Sequence, residues 1–127
     1  MREICIGFFV LLYTNLSLFS QTSISYNYTT TFNWNPTSQS YDQNTSIQQE
    51  SSIMIDQTTL KQIIEGTELS YIILSKSANA LIGGWLYEVS NAEGLLLHID
   101  VNLITNEYSI KPVSPEKGSI SYLYKKQ

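Results

Sequence analysis

The sequence predicts an all-β fold, a mainly antiparallel meander packed as a small sandwich or rolled into a partial barrel and preceded by a cleaved signal peptide. Two observations carry the fold. Apolar and polar residues alternate with a period of two along most of the chain, and Asn-, Gly- and Pro-containing turns separate these stretches at short intervals. A third observation, an apolar run from Ile4 to Leu12, carries the leader.

That run is nine residues long and follows Arg2. A signal-peptide core takes about 7 to 15 apolar residues and a membrane-spanning helix roughly 20, so the run fits export and not a span. Tyr13, Thr14 and Asn15 interrupt its continuation. Cleavage is expected after Ser20, dividing the chain into a signal peptide (1–20) and a single exported β-domain (21–127) with no transmembrane segment. Cys5 lies inside the run rather than at a cleavage point, so it gives no lipid anchor. The Phe19-Ser20-Gln21 ending resembles the leaders of exported proteins of Bacteroidetes-type bacteria, a likeness confined to the leader that implies a bacterial periplasmic or extracellular protein.

Losing Met1–Ser20 takes Arg2, Glu3 and Cys5 away. What remains has 107 residues, six lysines, no arginine and ten carboxylates, a net charge of −4. This length makes one core. A cysteine-free chain must be held by packing alone, without disulfides. No basic cluster is present, which excludes nucleic acid and anionic lipid surfaces as partners.

The first strand is read from Ile24, where Ile24, Tyr26, Tyr28, Phe32 and Trp34 alternate with polar residues and Thr30 is the weak member of the apolar set. Residues 35–50 hold almost nothing that can be buried and read as a long polar loop or hairpin arm. Ser52–Asp56 is a short strand. Over 58–65 two periods compete: a short helix capped by Asp56 or Thr58 and ended by Gly66, or a strand, which the β-branched residues favour. Leu69–Lys76 is apolar on both faces and reads as a central strand. Ala78–Ile82 is a connector before Gly83 and Gly84.

Trp85, Tyr87 and Val89 then alternate with Leu86, Glu88 and Ser90, and Asn91–Gly94 turns the chain. The cleanest alternation follows: Leu95, Leu97, Ile99, Val101 and Leu103 on one face, Leu96, His98, Asp100 and Asn102 on the other. After a turn at Thr105 and Asn106, Tyr108 and Ile110 continue the core face. Pro112, Pro115 and Gly118 make a loop, and Ile120, Tyr122 and Tyr124 close the fold ahead of Lys125 and Lys126.

Chemistry-bearing residues are few. His98 is the single histidine, and Asp100 shares its strand face, a pair that could orient an imidazole or hold a metal. Alternation puts both opposite the apolar set, toward solvent. Zinc needs three or four ligands, which the exported chain lacks, so no metal and no cofactor are expected. Neither a nucleophile elbow nor a phosphate loop is present. Glu88, Glu93, Asp100 and Glu107 could supply paired carboxylates only if two of them met in a cleft.

Aromatic residues point to binding instead. Trp34, flanked by Asn33 and Asn35 at the edge of the polar loop and close to Tyr41, is the aromatic least obliged to be buried and the first candidate for a contact site. Three functions follow in order: a non-catalytic binding or interaction module of the cell envelope with a protein or glycan partner; a lipocalin-like carrier of a small apolar ligand, distinguished by a cavity inside the fold; and a carboxylate-based hydrolase.

Overall fold

A computed structural model describes residues 22–79 and 83–127, so the leader, its cleavage point and most of the Ala78–Ile82 connector lie outside the described residues. Eight strands follow one another: β1 (Thr22–Asn35), β2 (Ser40–Ile55), β3 (Thr59–Ile64), β4 (Thr67–Asn79), β5 (Gly84–Ser90), β6 (Leu96–Asn102), β7 (Glu107–Pro112) and β8 (Ile120–Lys125). Each pairs antiparallel with its neighbours in sequence, and β8 returns to β1, so the meander closes into an up-and-down barrel rather than a sandwich or a partial barrel. Closure satisfies the backbone groups that the outermost strands of an open sheet would leave bare.

Local chemistry sets the turns. Glu65 and Gly66 both take positive φ (48° and 82°) and form a two-residue hairpin between β3 and β4, the geometry whose twist matches that of the flanking strands. Glycine fits the second position because it has no Cβ to clash there. The 58–65 segment is therefore strand β3 and not a helix; its β-branched residues and this turn act together. Between β2 and β3, the Asp56 carboxylate accepts the Thr58 N–H at 2.9 Å, and this bond, the largest influence on the group, lowers its pKa.

Residues 35–50 are a hairpin arm rather than a long loop. Only Pro36–Gln39 turn; from Ser40 onward the chain is β2, paired with β1 from Asn35↔Ser40 down to Thr22↔Ile55. Its polar side chains gave no strand period, yet Thr30–Ser46 and Thr31–Thr45 hydroxyl bonds, each 2.8 Å, knit the two strands. The β1 alternation also breaks. The register with β2 slips between Tyr26 and Tyr28, where β1 begins to pair with β8, and Thr29 and Thr30 are both buried.

The core is the barrel interior: Tyr26, Ile53, Ile55, Leu60, Tyr71, Tyr87, Val89, Leu97, Ile99, Val101, Tyr108, Ile110 and Tyr124. β4 is not covered on both sides, since Tyr71 points inward while Ile72 and Leu74 are exposed; a closed barrel has no central strand. Leu103, which alternation put on the core face, stands in the β6–β7 turn and is exposed, because β6 ends at Asn102, whose Oδ1 accepts the Ile104 and Thr105 N–H groups. Outward positions carry Lys61, Glu68, Glu88, His98 and Lys111, and β3 and β5 to β8 are six or seven residues long.

Candidate functional site

The barrel is filled at one end and hollow at the other. Below the cup, toward the end that holds the β2–β3 turn, the interior is occupied by the fully buried Ile53, Leu60, Val89, Ile99 and Val101. Toward the opposite end, where the β3–β4, β5–β6 and β7–β8 turns lie, a cup of about 630 Å³ opens. Its walls are Ile64, Leu69, Leu95, Leu97, Ile110 and Ile120, with Tyr122 and Tyr124 on one side and Glu116–Ser119 at the rim. Small-molecule sites run from about 300 to 1,000 Å³, so the volume suits one small ligand. Leu69, Leu95, Ile120 and Tyr122 are 43, 50, 40 and 36 % exposed although they face this space.

At the floor stands a polar group that the apolar pattern does not announce. Gln62, on β3 between Leu60 and Ile64, is only 1 % exposed. Its Nε2 donates to the Tyr108 hydroxyl at 2.9 Å, and its Oε1 accepts the Tyr71 hydroxyl at 3.2 Å. Tyr108 packs at 4.7 Å from Tyr26 and stacks at 4.5 Å on Tyr124, which stacks in turn on Tyr122. Burial raises the pKa of Tyr26 to about 12 and pushes those of Tyr71, Tyr108 and Tyr124 above the ordinary phenol value. The floor is thus neutral, hydrogen-bonding and aromatic at any physiological pH.

Hydrogen bonds hold the mouth in shape. Asn91 Oδ1 accepts the Glu93 and Leu95 N–H groups, at 3.0 and 2.9 Å, which sets Leu95 over the opening. The 113–119 loop is anchored at its start by Val113 N–H to Leu96 O and at its end by Trp34 N–H to Ser119 O; within it Ser119 N–H reaches Glu116 O at 2.9 Å and Glu116 N–H the Ser119 hydroxyl at 2.9 Å. Compared with protein-family models, curated proteins and solved structures, the chain matches none.

The residues singled out from sequence lie elsewhere. Trp34 and Tyr41 face each other across the β1–β2 arm, rings 5.1 Å apart and edge to face, while Asn35 donates to Asp42 at 3.0 Å and caps the turn through Thr37 N–H and Ser38 N–H. Asn33 is exposed, and none of these four lines the cup. His98 and Asp100 are half-buried on the outer wall, His98 between Glu88 and Lys111, Asp100 between Leu86 and Ser109. Glu88 and Asp100 stand on that convex wall away from the cup, and Glu107 lies 4.0 Å from Lys125. Gln62 escaped sequence reading because its residue type looks exposed; the one signal was its place at an inward position between Leu60 and Ile64.

Proposed function

We propose that this protein is a non-catalytic binding protein whose barrel cup takes up a small, largely apolar molecule. The observation that supports it is the cup itself: about 630 Å³ open at one end of the barrel, lined mostly by aliphatic and tyrosine side chains with polar residues at its rim and the buried Gln62 amide at its floor. Burying those exposed Leu, Ile and Tyr surfaces under a ligand is worth about 25 cal/mol for each Å² of apolar area removed from water. A mouth held by its own hydrogen bonds loses little freedom on binding, which favours affinity. The apolar leader supports an exported setting, periplasmic or extracellular. The neutral fluorophore N-phenyl-1-naphthylamine tests the reading: saturable enhancement with one molecule per barrel is expected, and an absence of enhancement at micromolar protein overturns it.

A second reading, contact with an envelope protein or glycan through the arm, is favoured by one observation. β2 pairs with β3 only over Ser51–Ile55, so the Ser40–Gln49 stretch of the arm pairs with β1 alone. Trp34→Ala combined with Tyr41→Ala separates the two: it leaves fluorophore binding intact and, if the arm is the contact, releases the protein from envelope fractions.

A further inference from the structure

Above the cup the barrel wall is uneven. β3 ends at Ile64, opposite Ser51, while β2 continues from Glu50 back to Ser40 with β1 beside it, and β1 in turn stays paired with β8 as far as Asn33↔Ile120. Residues directly opposite one another on neighbouring strands share a face of the sheet. Tyr122 and Ile120 of β8 are walls of the cup. Their partners on β1 are Thr31 and Asn33, whose own partners on β2 are Thr45 and Asp42. These four residues therefore stand on the cup's side of the sheet and carry its β8 wall sideways by one and two strand spacings, about 5 and 10 Å. Trp34 and Tyr41, the next pair along, take the opposite face.

The two parts of this tract differ in chemistry. Inside the cup the walls are mainly aliphatic, and the polar groups of the floor are turned on one another, with the Gln62 amide engaged by the Tyr71, Tyr108 and Tyr124 hydroxyls. The mouth is polar: Gln49, Ser114 and Ser119 line it, and Thr31, Asn33 and Thr45 continue it along the sheet. Hydroxyls and amides both donate and accept, and the exposed Thr31 and Thr45 hydroxyls lie 2.8 Å apart. Little net charge accompanies them. Asp42 receives a hydrogen bond from Asn35 Nδ2 at 3.0 Å, and at the rim Glu116 and Lys117 are neighbours of opposite sign.

We propose that the ligand is an amphiphile with an uncharged, polyhydroxylated head: its hydrocarbon tail fills the cup, and its sugar-like head lies outside, along the Thr31, Asn33 and Thr45 face of β1 and β2. This rests on the cup being the ligand site, and the test keeps the two separable. n-Octyl β-D-glucoside and octan-1-ol, equal in tail, are titrated against bound N-phenyl-1-naphthylamine, the glucoside below the concentration at which it forms micelles. The glucoside is expected to displace the fluorophore at about tenfold lower concentration than the alcohol, the worth of one or two hydrogen bonds. Asn33 and Thr45 are exposed. The Asn33→Leu, Thr45→Val double variant should therefore fold, bind the fluorophore as the wild type does, and bring the two compounds level.

In ¹⁵N-labelled wild-type protein the backbone amides of Thr31, Asn33 and Thr45 should shift with the glucoside and not with octan-1-ol, while those of Leu95 and Leu97 shift with both, a readout that needs no variant to fold. If the fluorophore never binds the wild type, the cup reading fails and this inference with it. If both compounds displace it equally and the three β1 and β2 amides stay still, the head-group site alone is overturned. Tighter binding of octyltrimethylammonium than of the glucoside, lost on Asp42→Asn, also overturns it and makes the head a cation.

Discussion

The two ends of this barrel are written in the same alphabet and do different work. At the filled end Leu60, Val89, Ile99 and Val101 are buried to within 1 %. At the open end Leu69, Leu95 and Ile120 occupy equivalent inward-facing places and are 40 to 50 % exposed. Alternation tells which face a side chain takes and not whether anything lies opposite it. The difference comes from the partners: at the filled end aliphatic side chains of β2, β3, β5 and β6 meet, whereas at the open end Gln62 and its tyrosines form a floor and, among the described residues, none fills the space above it.

The largest expected effect attacks the β5–β6 seam of the wall that both ends share. A Cβ on Gly84, the first residue of β5, would run into the Val101 carbonyl oxygen of β6. Gly84→Ala is expected to cost more than about 4 kcal/mol, seen as loss of a cooperative thermal transition by circular dichroism. Next comes the comparison itself. Ile99→Ala, emptying the packed end, should cost about 3 kcal/mol in urea unfolding, whereas Leu95→Ala at the mouth should cost less than about 0.5 kcal/mol and instead weaken N-phenyl-1-naphthylamine binding. Equal costs at the two sites would mean that the mouth is as packed as the filled end.

A pH titration sharpens the same contrast. Tyr26, Tyr71, Tyr87, Tyr108 and Tyr124 all have raised pKa values in the folded barrel because burial disfavours the phenolate. Folding therefore favours their protonated forms: the stability tied to them is fully present below pH 10, the unfolded value, and is lost as pH rises toward the folded ones, for Tyr26 between 10 and about 12. Denaturant midpoints should stay level up to pH 9 and fall above 10, and the phenolate absorbance of these five tyrosines should appear late and together with unfolding. Smallest of all, Trp34→Ala on the arm removes one edge-to-face ring pair and should cost about 1 kcal/mol without changing fluorophore binding.

Much of the fold was legible because period-two alternation is a local property. Leu97, Ile99, Val101, Tyr108 and Ile110 took the face that alternation gave them. Leu103 did not, since a strand's end is set by the turn chemistry of Asn102 and not by the hydropathy of the next residue. The arm was hidden for the opposite reason: Asn44, Thr45, Ser46 and Gln48 are exposed on a stretch of β2 that β1 flanks and β3 does not, so no apolar period is written. The candidate site was scarcely legible at all. Aromatic Trp34 and Tyr41 drew attention as exposed groups, while the residues that line the cup look in sequence like ordinary core.

The sequence by itself determined an antiparallel meander and the turns that join its strands, because alternation and turn propensity act over a few neighbouring residues. Only the tertiary structure decided that β8 returns to β1, that one end of the barrel is filled and the other hollow, and that Gln62 meets Tyr71 and Tyr108. Those outcomes depend on how many side chains converge from strands far apart in the chain, and on whether their volumes fill the ring that closure encloses.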